Sequence, residues 1–201
     1  MVFKKLPKNF YTRSAVIVAK ELIGKVLVHK IDSLIISGII VETEAYTGKN
    51  DPATHSYIGK TKRNEVMFEE GGKVYVYFTY GNHYCFNVVT GKKEQGNAVL
   101  IRAVEPLDGI EFMKTQRSTN NVYNLTSGPG KLAKAFGIDK KVYGEDLRGD
   151  KIFIAEPETN PKLIIARSTR IGITKNADKL YRFYVKNNPF VSHINISAKK
   201  A

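Results

Sequence analysis

The strand-forming segments of this 201-residue chain are joined by short turns, and the helix-forming segments stand apart from them. This order favours an α+β fold with a largely antiparallel sheet, because a tight turn reverses the chain direction. The chain has no regular strand–helix–strand alternation and no GxGxxG or Walker-type loop, which disfavours a nucleotide-cofactor fold. β-Branched and aromatic runs predict strands over residues 26–29, 34–46, 73–79, 84–89, 98–103, 152–155, 163–166 and 182–185.

Three helices are predicted, one before the first strand and two between later strands. Thr12 or Ser14 can cap a first helix, and Gly24 ends it. Pro106 suits the first turn of a second helix that reaches about residue 117. A short third helix is expected over residues 131–136.

The longest predicted strand leads into a long polar segment. Residues 34–46 are rich in β-branched side chains, and a bend is expected at Gly38. Residues 47–72 follow as an extended polar excursion that contains His55 and several cations. Loops of this length inside a compact domain are usually functional or disordered, so we expect a functional segment here.

The charge of the chain predicts a polyanionic partner. Its 32 Lys and Arg residues against 19 Asp and Glu residues give a formal charge of +13. The basic residues are spread along the chain, which indicates a folded basic surface that binds nucleic acid, with a merely solvated basic surface as the alternative. The length and the ordinary hydrophobic content predict one domain over residues 1–201.

The cysteine content and the start of the chain predict an intracellular protein. Cys85 is the one cysteine, so no internal disulfide can form. The first residues lack the apolar run of a secretion signal, and the longest apolar run, residues 34–41, is shorter than the ~20 residues that span a bilayer. We therefore expect an intracellular protein without membrane contact.

Residues 41–46, with the sequence VETEAY, are the strongest candidate for chemistry. Alternate side chains of a strand share a face, so Glu42, Glu44 and Tyr46 are expected to lie together. Two carboxylates need water or partners, because burying them unpaired is costly. The segment fits either a carboxylate general base beside an aromatic platform or a solvated strand face.

Tyrosines cluster in the segment that follows the polar excursion. Tyr75 and Tyr77 share one face of a predicted strand, and Tyr80 precedes a turn at residues 81–82. Aromatic side chains in such places suit stacking on a flat ligand or insertion between bases. Core packing is the alternative, because tyrosine is common in strands.

The four histidines of the chain show no metal-binding pattern. No pair has HExxH spacing, and the carboxylates offer no convincing metal set, so no metal is expected. His29 is expected on a strand surface. His55 lies eleven residues after Glu44 in the polar segment and can fold back toward that carboxylate.

Short sequence blocks spread along the chain carry a family resemblance. They are VETEAY at 41–46, DPATHS at 51–56, RN at 63–64, MF at 67–68, VYVYFTYG at 74–81, YCFN at 84–87, VLIRAVEP at 99–106, SGPGKL at 127–132 and RFYV at 182–185. In these blocks and their order the chain resembles the alkyladenine (3-methyladenine) DNA glycosylase family. The resemblance implies a base-excision repair enzyme that flips an alkylated or deaminated purine out of duplex DNA and hydrolyses its N-glycosidic bond.

The resemblance also implies the fold and the partners. It implies a single mixed domain with a curved, mainly antiparallel sheet and peripheral helices, and it implies neither a metal nor an organic cofactor. The implied partner is double-stranded DNA that contains damaged purines of the 3-methyladenine, 7-methylguanine or hypoxanthine type. A monomer is expected, since inspection of one flipped base needs no two-fold symmetry.

The resemblance assigns roles to individual residues. Glu44 is the implied water-activating group, and Tyr80 is the implied wedge that enters the base stack. Asn87 matches a position that crowds the purine 2-position and screens against guanine. The implied base pocket consists of Tyr46, His55, Tyr77, Asn87 and Arg102. The candidate contacts to the DNA backbone, chosen because they lie in polar loops or at a helix start, are Lys60, Lys62, Arg63 and Lys131.

Two other functions remain as alternatives. The first is a non-catalytic basic nucleic-acid-binding domain. Glu42 and Glu44 argue against it, because carboxylates that face DNA repel phosphate. The second is an unrelated hydrolase of a small ligand, in which the basic charge is incidental.

Overall fold

The computed structural model describes residues 3–79, 81–159 and 162–192. The helices in these ranges are α1 (Lys8–Tyr11), α2 (Ala15–Leu22), α3 (Ile110–Arg117) and α4 (Pro129–Ala135). The strands are β1 (Val26–Ile31), β2 (Leu34–Thr47), β3 (Val74–Thr79), β4 (His83–Thr90), β5 (Asn97–Pro106), β6 (Ile152–Ala155), β7 (Ile165–Ser168) and β8 (Arg182–Val185). Short 3₁₀ helices cover Gly48–Asn50, Glu65–Phe68, Val122–Asn124 and Lys140–Val142.

The strands in the described ranges form one antiparallel sheet. The order along its main path is β3-β4-β5-β2-β1-β6, and β8 pairs with β2 on one side and with β7 on the other. One edge of β2 pairs with β5, and the opposite edge is shared by β1 and β8. Because one long strand serves two different neighbours on the same edge, the sheet curls around β2.

The pairing of β2 changes register near its middle. The register with β5 shifts between Ile40 and Thr43, next to the residues that pair with β8. Such an irregularity bends a strand and increases its twist. The sequence predicts a bend at Gly38, whereas this glycine allows β5 to approach closely, because a Cβ there would lie 2.8 Å from the Glu105 carbonyl oxygen.

Helix α2 packs against one face of β2. Ser14 caps this helix as predicted, since its side chain accepts a hydrogen bond from the Ile17 N–H. The Thr43 hydroxyl donates to the Ala19 carbonyl oxygen of the helix over 2.8 Å. Successive side chains of a strand point to opposite faces, so the side chain of Glu44 points away from α2.

Helix α3 begins later than the sequence predicts. Pro106 is the last residue of β5, and the helix starts at Ile110, after Gly109 with φ of 76°. Ser37 of β2 explains the delay: its hydroxyl donates to the Asp108 carboxylate over 2.5 Å. The predicted helix start at Pro106 is wrong, because these contacts hold the chain beside β2 for two more residues.

His29 is buried, so its predicted place on a strand surface is wrong. Its Nδ1 lies 2.8 Å from the carbonyl oxygen of Phe136, the residue that ends α4. Burial lowers the pKa of His29 and outweighs the opposite effect of the Phe136 carbonyl. The end of helix α4 packs over this part of the sheet, and the local strand pattern carries no sign of that packing.

The architecture confirms the predicted fold class, an α+β fold with a curved, mainly antiparallel sheet and peripheral helices. Strands β6 and β8 have the predicted bounds. Within the described ranges, no helix has the length and apolar character that crossing a membrane requires. The assignment of residues 1–201 to one domain stays a prediction.

Candidate active site

A cavity of about 240 Å³ lies where β2, β5 and the β3–β4 hairpin meet two loop segments. Ligand sites for drug-sized molecules run to about 300–1,000 Å³, so this cavity suits one small, flat ligand. Its walls are mostly aromatic and apolar, with a few polar groups. The lining residues are Tyr46, Ala53, Thr54, His55, Met67, Tyr75, Tyr77, Thr79, Cys85, Asn87, Ala98, Leu100, Arg102, Pro129, Ile171, Gly172 and Ile173.

Glu44 lies directly behind this cavity and is fully buried. Its Oε1 accepts a hydrogen bond from the Ile171 backbone N–H over 2.7 Å and lies 3.4 Å from Nη1 of Arg102. Its Oε2 accepts a hydrogen bond from the Tyr46 hydroxyl over 2.9 Å. All three partners line the cavity, whereas the carboxylate itself does not. The carboxylate therefore lies next to the cavity, directly behind these three lining residues.

Two arginines hold Glu42, the other carboxylate of the strand. Its Oε1 accepts hydrogen bonds from Nε of Arg182 over 2.7 Å and from Nε of Arg102 over 2.9 Å. The Ser192 backbone N–H donates to its Oε2 over 2.7 Å. Burial opposes the charged form, but the two guanidinium groups outweigh it and lower the pKa of Glu42. The alternative of a solvated strand face is wrong, because neither Glu42 nor Glu44 is exposed.

His55 and two tyrosines form one wall of the cavity. The ring of His55 meets that of Tyr77 edge to face at a centroid distance of 4.4 Å, and its Nδ1 lies 2.8 Å from the Tyr75 hydroxyl oxygen. Part of His55 faces solvent, yet burial of the ring lowers its pKa and the charge of Arg63 lowers it further. The neutral imidazole is favoured, in which one ring nitrogen donates and the other accepts.

Tyr46 forms another wall, and a buried arginine covers its ring. The Arg170 guanidinium lies 4.7 Å from the centre of the Tyr46 ring and donates to the Ala45 carbonyl oxygen over 3.0 Å. Burial raises the pKa of Tyr46, and the nearby Glu44 carboxylate raises it further. The hydroxyl of Tyr46 therefore stays protonated and acts as the donor to Glu44.

Arg170 and its partner Asp51 also belong to the site, although no sequence pattern assigns either of them a role there. Nη1 of Arg170 donates to Oδ2 of Asp51 over 2.5 Å, and Nη2 donates to Oδ1 over 3.0 Å. Asp51 also accepts a hydrogen bond from the Ala53 N–H over 3.2 Å. The pair thus joins two loop segments that line the cavity. Its members are 119 residues apart, so no local pattern signals their contact.

Asn87 and Cys85 line the cavity from strand β4. The Asn87 Nδ2 donates to the carbonyl oxygens of Tyr75 over 3.1 Å and of Cys85 over 3.4 Å. Its Oδ1 accepts no hydrogen bond from the described residues, which leaves that atom for a ligand. Burial raises the pKa of the Cys85 thiol, in keeping with a packing role.

The predicted pocket residues come together in the structure. Five of them line the cavity, and Glu44 lies behind it. The five are Tyr46, His55, Tyr77, Asn87 and Arg102. The structure shows that these residues lie close together. The chemical role of each residue stays a prediction.

The four predicted backbone contacts differ in their surroundings. Lys60, Lys62 and Arg63 are exposed. Lys131 is only partly exposed, and its ammonium group donates to Oδ1 of Asn124. Burial lowers the pKa of Lys131, and a neighbouring arginine lowers it further. Lys131 is therefore less available to a phosphate than the other three.

Two further predictions concern the wedge and metal binding. Tyr80, the predicted wedge, lies outside the described residues. On either side of it, β3 ends at Thr79 and β4 begins at His83, as the predicted hairpin requires. Among the described residues, no group of three or more His, Cys, Asp or Glu side chains is arranged to hold a metal ion.

Comparisons with known proteins agree with this geometry. A model of the methylpurine-DNA glycosylase family matches residues 9–189. A relative in Carboxydothermus hydrogenoformans is 53% identical over 188 residues, which cover 93% of this chain and 98% of the relative. Relatives in Methanoculleus marisnigri and Desulfitobacterium hafniense are 48% and 47% identical, with 93% and 94% of this chain and 98% of each relative covered. All three are named "Putative 3-methyladenine DNA glycosylase".

The fold, the cavity and these matches define the class of the protein as a DNA glycosylase, an enzyme that hydrolyses N-glycosyl bonds. Within that class, the chain belongs to the methylpurine-DNA glycosylase family. The family resemblance and the enzyme class predicted from the sequence are thereby confirmed. Membership in this family also identifies DNA as the partner.

Proposed function

We propose that this protein is a monofunctional glycosylase that removes alkylated or deaminated purines, of the 3-methyladenine, 7-methylguanine or hypoxanthine type, from double-stranded DNA. The observation that carries the proposal is the buried Glu44 carboxylate, which lies behind an aromatic cavity and is hydrogen-bonded to two of its lining residues, Tyr46 and Ile171. The names of the relatives support the substrate class. The formal charge of +13 supports binding to a polyanion.

The proposed reaction begins with departure of the base. A purine alkylated at N3 or N7 is cationic, which weakens its glycosidic bond, and its departure leaves an oxocarbenium-like sugar. Glu44 stabilises this positive charge and accepts the proton of an attacking water, whose oxygen bonds to the anomeric carbon. The water approaches Oε1 from the cavity side, where Arg102 and Ile171 contact the same oxygen.

The aromatic walls account for a preference for charged bases. Tyr46 and Tyr77 offer electron-rich ring faces to a cationic purine, which contributes roughly 0.5–2 kcal/mol. One face of each ring is already near a guanidinium group, at 4.7 Å from Arg170 and at 5.8 Å from Arg63. The base stacks on the remaining face. A neutral lesion such as hypoxanthine gains less from this contact and depends more on hydrogen bonds to its ring.

Base flipping and the cavity residue Asn87 also favour damaged bases over normal ones. Extruding a base costs a few kcal/mol, and least when the base is weakly paired. In the proposed complex Tyr80 fills the gap in the stack, and Asn87 crowds the 2-amino group of guanine. Lys60, Lys62 and Arg63 neutralise phosphates of the DNA backbone. The enzyme acts as a monomer inside the cell, in the cytoplasm with the nucleoid of a bacterium or in the nucleus of a eukaryote.

A cleavage assay on defined duplexes tests the proposal. Each duplex carries one 7-methylguanine, hypoxanthine or ethenoadenine, and excision is scored as strand breaks after hot alkali. We expect breaks at the lesion and none in the undamaged duplex. Binding without breaks on every lesion would favour the non-catalytic alternative. Neither binding nor breaks would favour the small-ligand hydrolase.

A further inference from the structure

A rigid loop projects from the cavity wall. Residues 55–64 begin at His55, which lines the cavity, and end at Asn64, which is buried at their base. The Asn64 Nδ2 donates to the carbonyl oxygens of His55 and Gly59, each over 2.9 Å. Its Oδ1 accepts a hydrogen bond from the Thr61 N–H over 2.6 Å. One buried side chain thus closes the loop and holds its two ends together.

The tip of this loop, Tyr57 and Ile58, is apolar and highly exposed to solvent. Ile58 is 82% exposed, the largest value among the large apolar side chains of the described residues, and Tyr57 is 47% exposed. Below the tip, Ser56 is buried and its hydroxyl donates to the Gly96 carbonyl oxygen over 2.5 Å. The base of the loop is therefore anchored while its tip has no apolar cover.

Positive charge follows the tip within the same loop. Lys60, Lys62 and Arg63 are exposed, and residues 55–64 contain no acidic side chain. Among the described residues, none of the three forms an ion pair with a carboxylate. Arg63 lies against the cavity wall as well, at 5.8 Å from the ring of Tyr77. Both ends of the loop therefore meet the cavity wall, and its cations face solvent.

We propose that the Tyr57–Ile58 tip is an apolar contact to the DNA that flanks the extruded nucleotide. The tip packs against sugars and base edges, while the cations that follow it bind the neighbouring phosphates. Charge complementarity favours DNA as the occupant, because a polyanion matches a loop with three cations and no acid. Since the loop is closed by Asn64 before binding, little conformational entropy is lost in the complex. This inference rests on the proposed function, because it takes damaged DNA as the ligand.

The experiment compares the double variant Y57Q/I58Q with wild type. The single-turnover excision rate is measured against enzyme concentration on a lesion duplex, at several salt concentrations. We expect the half-saturating concentration to rise about tenfold, because the apolar contacts of both tip side chains are lost, with the maximal rate little changed. The salt slope should stay at the wild-type value, because no phosphate contact is removed.

Two control variants sharpen the test. Ile17→Gln removes an exposed apolar side chain from α2, a helix on the opposite face of β2 from the Glu44 side chain. This variant should leave the half-saturating concentration and the maximal rate unchanged. Lys60→Gln should reduce the salt slope by about 0.9. Wild-type affinity in Y57Q/I58Q, or a slope change like that of Lys60→Gln, overturns the tip contact. A concentration-dependent dimer in sedimentation that the double variant abolishes also overturns it, in favour of a second copy of the chain.

Failure of the inference and failure of the proposed function give different results. If wild type excises no lesion, the proposed function fails. The contribution of the tip to DNA affinity is then measured by fluorescence anisotropy on an undamaged duplex with the same variants. If wild type excises and the double variant matches it at every enzyme concentration, the function stands and the tip contact fails.

Discussion

Arg170 and Asp51 form a bidentate ion pair that has no exposed side-chain surface. Arg170 immediately precedes Ile171, whose N–H binds Glu44. Asp51 begins the segment that leads to His55. The ion pair therefore links the segment of Ile171, which binds Glu44, to the segment of His55, which lines the cavity.

Replacing this arginine tests the connection. Arg170→Lys keeps the charge but loses the two parallel hydrogen bonds and the stacking on Tyr46. We expect the free energy of unfolding to fall by about 1.5–3 kcal/mol, because a hydrogen bond to the charged Asp51 is lost, and excision to slow even under conditions where the variant is fully folded. Urea denaturation and single-turnover assays measure the two effects. A double-mutant cycle with Asp51→Asn should show a coupling of about 1–3 kcal/mol, and additive effects would contradict the connection.

Glu44→Gln separates chemistry from binding. Glutamine can still accept the hydrogen bond from the Ile171 N–H through its oxygen, and its amide can donate to the Tyr46 hydroxyl, so the fold should survive. It cannot accept the proton of water, and we expect excision to fall by about 10²–10⁴-fold with lesion binding retained. Glu111→Gln, at a side chain 85% exposed on α3, is the matched control. Near-wild-type excision by Glu44→Gln would reject the role of this residue.

Glu42→Gln should damage the fold. Strand alternation predicts only that Glu42 lies beside Glu44, whereas in the structure two arginines and Ser192 contact its buried carboxylate. We expect a loss of about 3 kcal/mol in the free energy of unfolding, because the buried Arg182 loses its carboxylate partner and Arg102 keeps only Glu44. Because the pKa of Glu42 is lowered in the fold, this stabilisation is present above its unfolded pKa and is lost as the pH falls through its folded pKa.

Urea denaturation at neutral pH measures this loss, with Glu111→Gln as the control at an exposed site. The same titration at acid pH should bring wild type and Glu42→Gln closer together, since protonation removes the charge from wild type. Equal stability of the two proteins at neutral pH would contradict the network.

Local sequence patterns predict those parts of the fold and of the site that depend on residues close together in the chain. Strands β6 and β8 are short β-branched or aromatic runs between polar residues, and their bounds agree with the sequence prediction. Strand alternation predicts that Glu44 and Tyr46 lie on one face, and their side chains are hydrogen-bonded. These features depend only on residues close together in the chain.

Long-range contacts explain what the sequence does not predict. Glu42 and Arg182 are 140 residues apart, and no spacing rule links them. Pro106 has the chemistry of a helix start, but Ser37 holds the following residues beside β2. His29 has an ordinary strand pattern, and only the end of α4 decides that it is buried. For Pro106 and His29, tertiary packing overrides a local preference.

His55 should titrate below the ordinary histidine value of 6.5, because burial and the charge of Arg63 disfavour its protonated form. Between its folded pKa and 6.5 the unfolded chain binds more protons, so the free energy of unfolding falls as the pH drops through that window. Side-chain NMR shifts of the ring measure the midpoint. Arg63→Gln should raise the midpoint of His55 and leave that of His29 unchanged. A midpoint at or above 6.5 in wild type would refute the burial of the ring.

The enzyme should stop at the abasic site without nicking the strand. Strand cleavage by elimination requires an amine that attacks the sugar and forms a Schiff base, and that amine must be largely unprotonated. Lys131 is the amine to examine, because burial lowers its pKa and Pro129, two residues earlier, lines the cavity. Its Nζ is engaged by Asn124, however, and no lysine is among the described residues that line the cavity.

Borohydride added during turnover tests which nucleophile acts, because it reduces a Schiff base to a stable protein–DNA adduct. We expect no adduct, and strand breaks only after hot alkali, since water activated by Glu44 leaves an intact abasic strand. Lys131→Gln should then excise at close to the wild-type rate. An adduct in wild type that disappears in Lys131→Gln would show instead that the lysine attacks the sugar, and Glu44 would have to act by stabilising charge alone.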